Sequence, residues 1–265
     1  MAAELLLRGV LDHRRALLGW CVGVAAYIAL LAAIFPSIEG SQEFDDLVEQ
    51  YPEALKSLFG IGGNITTGPG FMDVELFGLM LPLLALVLAI GSGARLLAGE
   101  EEAGRLELLL AYPVLRRSAV LARGAAVALD VAAFAAAAFA ALALLSPVFG
   151  LDLPFGRLAG AVLGVWLLAV LHGWLALAVG AFRPGRALAI GIPAAVAAAG
   201  YLVGGLHELA GWLDPFRFLS AFWWIGQSPL ANGVDLSRFL VVGGAAFVVL
   251  VAGAWLFDRR DLQTP

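Results

Sequence analysis

The 265-residue chain is 62% hydrophobic and 14% charged, whereas a soluble domain carries about a quarter of its residues as charges. With a mean hydropathy of +0.92, this excludes a water-soluble fold and places the chain in lipid. The net charge of -5 comes without a basic, aromatic-interleaved patch for nucleic acid, and the single cysteine, Cys21, excludes an intramolecular disulfide and a cysteine metal site.

A membrane-spanning helix takes roughly 20 residues, so this length accommodates about six to eight spans in one membrane domain. Residues 2–15 set Glu4, Arg8, Asp12 and Arg15 on one helical stripe with Leu5, Leu6, Leu7, Val10 and Leu11 around the rest. That pattern predicts an interfacial helix, the alternative being a charged tail before a span. No small-residue cleavage site follows closely, so the first span, 16–35, is expected to stay as an anchor closed by Pro36.

Residues 37–75 carry eight acids (Glu39, Glu43, Asp45, Asp46, Glu49, Glu53, Asp73, Glu75) against one base, Lys56. The imbalance suggests the outer face. Phe44, Leu47, Val48, Tyr51, Leu55, Leu58 and Phe59 recur at three- and four-residue steps. They predict an amphipathic helix, or a pair broken near Pro52, capped by Gly60. Gly62-Gly63-Asn64 and Gly68-Pro69-Gly70 read as turns. The second span is expected over 76–97.

Three consecutive carboxylates, Glu100, Glu101 and Glu102, then interrupt the apolar chain. Ala103, Gly104, Arg105, Leu106, Glu107, Leu108, Leu109, Leu110, Ala111, Tyr112 and Pro113 follow, and then Arg116 and Arg117. Leu106, Leu109 and Leu110 share a helical face and Pro113 ends the helix, which gives a short amphipathic helix between two spans. It is either a charged connecting loop or a docking helix for a soluble partner.

The residue order of this stretch resembles the loop after the second span of ABC-2 type exporter permeases, the membrane subunits of ATP-binding-cassette transporters. There an acidic cluster precedes a Gly-Thr-Leu-Glu-Leu-Leu-Leu segment and a Pro-Val-Ser-Arg segment. Here Arg105 replaces the usual Thr and Leu115 the usual Ser. Tyr51 to Leu55, Gly70-Phe71-Met72 and the Asp258-Arg259-Arg260-Asp261-Leu262 tail are similar to the same family. The resemblance implies a coupling role toward the ATPase for Glu100, Glu101, Glu102, Gly104, Leu106, Glu107, Leu109, Leu110, Pro113 and Arg116. It also implies two cytoplasmic ATPase subunits, which hold ATP and Mg, and pairing with a second copy or a related permease. This chain would then carry no cofactor.

Further spans are expected over 118–145, 158–182, 187–205 and 238–257. Residues 206–237, with Trp212, Trp223 and Trp224, are too polar and too rich in Trp and Gly for a clean span. They suit broken helices able to re-enter the outer leaflet where protein covers the backbone. The fold class is therefore all-α: a single polytopic transmembrane domain, 1–265, with six spans. If both termini are inside, twelve of the 16 bases lie on inner segments, which puts the acidic hinge in the cytoplasm of a cell-membrane protein.

Chemistry has few places to sit. Asp130 is the only acid well inside a predicted span and His172 is mid-span in an apolar helix, either as structural hydrogen-bonding groups or as part of a substrate or proton path. No phosphate-binding loop or Gly-x-Ser-x-Gly motif is present. His13, His172 and His207 lack ligand spacing. The chain is expected to be a non-enzymatic permease for a hydrophobic or amphipathic cargo such as a drug, lipid or peptide. The competing readings are an ion-coupled transporter or channel using Asp130 and His172, and an intramembrane enzyme, for which no paired polar groups stand at one depth.

Overall fold

A computed structural model describes residues 14–61, 64–104, 115–183 and 185–260. Among them the secondary structure is helical throughout, and six helices are long and apolar enough to cross a membrane. These are α1 (Arg14–Ile34), α4 (Gly68–Glu102), α5 (Arg116–Phe149), α6 (Phe155–Phe182), α7 (Arg186–Leu206) and α10 (Leu236–Arg259), called spans 1 to 6 below. The expected helix over residues 2–15 falls mostly outside the described residues. So do Arg105, Leu106, Glu107, Leu109, Leu110 and Pro113 of the hinge.

Between spans 1 and 2, α2 (Gln42–Glu49) and α3 (Glu53–Phe59) form the amphipathic pair, divided at Pro52, and Gly60 closes α3 in the left-handed conformation. Gly68-Pro69-Gly70, expected as a turn, instead opens span 2. Thr67 caps the helix by accepting the Gly70 N–H at 3.3 Å, and Pro69 sits in the first turn, where its missing N–H costs nothing. Span 2 therefore runs for 35 residues, well beyond the expected 76–97. Two π-helical turns, Asp73–Phe77 and Arg95–Gly99, interrupt it. Its far end takes in all three carboxylates of the acidic run, so Glu100–Glu102 are the last helical turn and not loop. Gly104, at φ +67°, ends the helix as only a residue without a Cβ does easily.

Span 3 also outruns its expected end at 145: Ser146 and Pro147 continue the helix to Phe149, and the connection to span 4 shrinks to residues 150–154. Ser146 explains part of this, because its hydroxyl accepts the Leu153 N–H at 3.0 Å and ties the turn back to the helix.

Span 4 is the axis of the bundle. It packs on spans 2, 3, 5 and 6, whereas span 1 rests mainly on span 3. The buried share of the most apolar stretch accordingly falls from 56% in span 4 to 22% in spans 1 and 5. Small residues set the spacing. A Cβ on Gly93 of span 2 would run into the Gly173 carbonyl of span 4, and one on Gly173 would stand 2.7 Å from Val127 Cγ1 and 3.0 Å from the Ala89 carbonyl. Spans 2 and 4 thus meet at backbone distance with Val127 of span 3 packed against them, a packing mode that replaces hydrophobic drive where the solvent is itself apolar. A main core including Phe35, Phe71, Phe134, Leu142 and Leu158 fills the half of the bundle away from the acidic run.

Residues 207–235 form short broken pieces: a 3-10 turn (Asp214–Leu219), α8 (Ala221–Ile225) and α9 (Pro229–Asn232). They pack on spans 4, 5 and 6. Trp223 lies between two guanidinium groups, Arg217 at 5.4 Å and Arg238 at 5.1 Å from its ring, an arrangement favoured by the negative face of the indole.

Candidate functional site

The up-and-down course of the spans brings the end of span 2, both ends of the hinge, the start of span 5 and the end of span 6 together at one arginine-rich end of the bundle. There the three carboxylates diverge, because successive helical residues point about 100° apart. Glu100 Oε2 accepts from Arg123 Nη2 of span 3 at 2.5 Å. Glu101 takes both terminal nitrogens of Arg260, at the end of span 6, as a two-point pair. Glu102 Oε1 accepts the Arg186 backbone N–H at 2.7 Å, in the first turn of span 5, where four N–H groups lack helical partners.

The arginines are used further. Arg260 Nη1 also donates to the Gly180 carbonyl of span 4 at 3.3 Å, and Arg116 Nη1 donates to the Arg260 carbonyl at 2.7 Å. Arg117 pairs with Asp258 at 2.8 Å. The two main pairs are sheltered: Arg123 is 8% and Arg260 12% exposed, against 58% for Arg117. Of the hinge residues within the described chain, Glu100, Glu101, Glu102 and Arg116 thus join one intramolecular cluster. Gly104 lies at its edge.

Deeper along the same contact, Asp130 of span 3 is 1% exposed. Its Oδ2 accepts from Ser92 Oγ of span 2 at 3.2 Å, and the Arg95 guanidinium acts on it electrostatically. Its Oδ1 has no hydrogen-bond partner among the described residues. His172 is 2% exposed, and its Nδ1 must carry a proton, because the group 2.8 Å away is the Leu168 carbonyl. Asp130 and His172 therefore bond to different neighbours, and the structure does not join them in one relay.

Span 4 supplies two contacts that sequence reasoning missed. Trp166 Nε1 donates to the Ala128 carbonyl at 3.1 Å and Trp174 Nε1 to the Gly124 carbonyl at 2.8 Å. Their eight-residue spacing in an apolar helix was the available signal, since a buried indole needs an acceptor.

At the opposite end, Asp73 is 3% exposed and holds α9 by its leading N–H groups: Leu230 N at 3.0 and 3.1 Å, and Ala231 N at 2.8 Å. Arg157 grips the same turn from the other side, donating to the Leu230 and Ala231 carbonyls at 3.1 and 2.5 Å. Tyr201 donates to the Leu58 carbonyl at 2.8 Å and Ser228 to the Gly60 carbonyl at 2.7 Å, which fastens α3 to span 5 and to the broken segment. A small, partly enclosed cavity of about 50 Å³ lies beneath, lined by residues such as Phe77, Pro82, Tyr201 and Phe239. A larger apolar groove of about 490 Å³ opens sideways between spans 1 and 2, lined by Trp20, Gly23, Tyr27, Met80 and Leu84. Among the described residues no three His, Cys, Asp or Glu side chains are grouped as metal ligands.

Six long apolar helices with close glycine contacts, and with charge confined to the two ends and a few buried polar contacts, make the architecture of a multi-pass membrane protein. The chain matches the family described as "Multidrug efflux system permease Rv1217c, C-terminal domain" over residues 9–258, and it belongs to that family. A sequence comparison with curated proteins finds no match.

Proposed function

We propose that this chain is the membrane subunit of an ABC-2 type exporter, with ATP hydrolysed on separate cytoplasmic ATPase subunits that hold ATP and Mg. Membership of an efflux permease family supports a transporter. The observation that carries the ATP-driven reading is the hinge. Its acidic run and its returning arginine are built into the ends of the spans, so that a partner engaging residues 104–112 would act on several spans at once. Two ATPase subunits would serve two permeases, either two copies of this chain or this chain and a relative. The arginine-rich end faces the cytoplasm in this reading, as the positive-inside rule requires. The cargo is hydrophobic or amphipathic, in keeping with an apolar lateral groove of drug-like volume between spans 1 and 2.

Affinity purification from membranes in mild detergent tests this. An ABC ATPase subunit should accompany the chain, and alanine substitutions across Leu106 to Leu110 should release it. Recovery of the chain alone would overturn the reading.

The open oxygen of Asp130 favours one second reading, transport driven by an ion gradient. Cargo flux in sealed vesicles with a proton gradient and no ATP, abolished by Asp130→Asn, would establish it.

A further inference from the structure

The acidic run has the composition of a docking patch for a basic partner, but its geometry serves another purpose. Three consecutive carboxylates on a helix spread over roughly 200° of arc, so no single flat surface can receive all of them. Here each is already taken, by span 3, span 6 and span 5 in turn. Gly180 adds span 4 through its carbonyl on Arg260. Among the described residues span 1 contributes nothing to this cluster. The hinge also leaves and re-enters the bundle at the same place: Glu100–Glu102 precede residues 105–114, and Arg116, which follows them, bonds to the backbone of Arg260.

We infer that Glu100–Arg123, Glu101–Arg260 and Glu102 on the Arg186 N–H form an internal joint through which a pull on segment 105–114 moves spans 2 to 6 as one body, with span 1 outside it. The inference rests on the reading that an ATPase partner engages that segment. The joint suits this task because its charges are sheltered. An exposed ion pair exchanges with water and slackens, whereas a partly buried two-point arginine–carboxylate pair has a fixed direction and costs more to separate. Arg123, Arg260 and the carboxylates are positioning residues in this scheme. They touch neither cargo nor nucleotide.

The test uses the full permease reconstituted with its ATPase partner in liposomes. Glu101→Gln should keep the partner bound and ATP turnover intact, while cargo moved per ATP falls by about tenfold, within the usual range of coupling between sites. The swap Glu101→Arg/Arg260→Glu should recover part of the loss, the bond to the Gly180 carbonyl staying broken, and covers the case in which the single variant folds poorly. In a Cys21→Ala background, spin labels at positions 103 and 259 should keep their separation between the nucleotide-free and ATP-trapped states, whereas labels at 15 and 103 should not. Release of the partner by Glu101→Gln would overturn the joint by making the carboxylate a docking contact. Unchanged cargo per ATP, or a changing 103–259 distance, would overturn it too. If the wild-type chain itself brings down no ATPase, the underlying reading fails and takes the joint with it.

Discussion

Asp73→Ala tests whether the far end of the bundle is held by one carboxylate. Asp73 accepts from two backbone N–H groups, Leu230 and Ala231, through three contacts of 2.8 to 3.1 Å. Leu230 is fully buried while Ala231 is exposed, so after the substitution one N–H is stranded and the other finds water. A stranded buried N–H costs about 1–3 kcal/mol and a bond to a charged acceptor contributes about 1.5–3 kcal/mol. The expected loss is about 3–4 kcal/mol, near the range for breaking a buried charged network on one side. Arg157 still holds the two carbonyls but loses the charge it faces. Asp73→Asn keeps one acceptor oxygen and should cost about half as much, from the same hydrogen-bond values. The assay is reversible unfolding of the purified protein in mixed micelles of mild detergent and SDS, read as the shift in unfolding free energy. Two results would refute the reasoning: an Asp73→Ala variant within about 0.5 kcal/mol of wild type, the range of an inconsequential surface change, or an asparagine variant worse than the alanine one.

Gly173→Ala places a Cβ 2.7 Å from Val127 and 3.0 Å from the Ala89 carbonyl and should destabilise by about 1–3 kcal/mol in the same assay. Gly19→Ala, with nothing within 4 Å, should instead stabilise by up to about 1 kcal/mol from helix propensity; equal signs for the two would show that backbone contact does not set the spacing. Trp174→Phe removes the 2.8 Å bond to the Gly124 carbonyl and should cost about 0.5–1.5 kcal/mol with packing retained. Asp235 caps span 6 by accepting from the Ser237 N–H and hydroxyl, which hold its carboxyl below the usual value of 3.8. Its contribution is present above that value and is lost as pH falls through the lower folded one. The protection factor of the Ser237 amide, its exchange rate compared with the intrinsic rate at the same pH, should drop only at such acid pH, and in Asp235→Ala it should be low throughout.

Much of the fold was legible because its signals are local. Apolar runs of span length gave six helices within a few residues at most ends, and the apolar steps from Phe44 to Phe59 with Pro52 between them gave the divided pair α2 and α3. The errors came at helix ends fixed by side-chain contacts that hydropathy does not show. Span 2 starts early because Thr67 caps it, and it ends late because Glu100–Glu102 are bound by other spans. The acidic run stood out in composition, but not its partners: Glu100 and Arg123 are 23 positions apart, Glu101 and Arg260 159, and Asp73 and Leu230 157. No periodicity links residues so distant. Asp130 and His172 were picked out as costly polar groups in apolar helices. Only the structure shows that they answer to different neighbours.

The π turn at Arg95–Gly99 sets the angular phase of everything beyond it. A π turn holds one residue more than the α turn it replaces, so deleting that residue restores an α turn and leaves the phase nearly as it is, whereas inserting one residue with no second wide turn to absorb it would swing the acidic end by about 100°. Glu101 would then point where Glu100 or Glu102 points now, and all three clasps would be offered to the wrong spans at once. The segment behaves like a keyed coupling on a shaft. The extra residue is already absorbed by the wide turn, so a one-residue insertion beyond it would act more severely than a one-residue deletion within it.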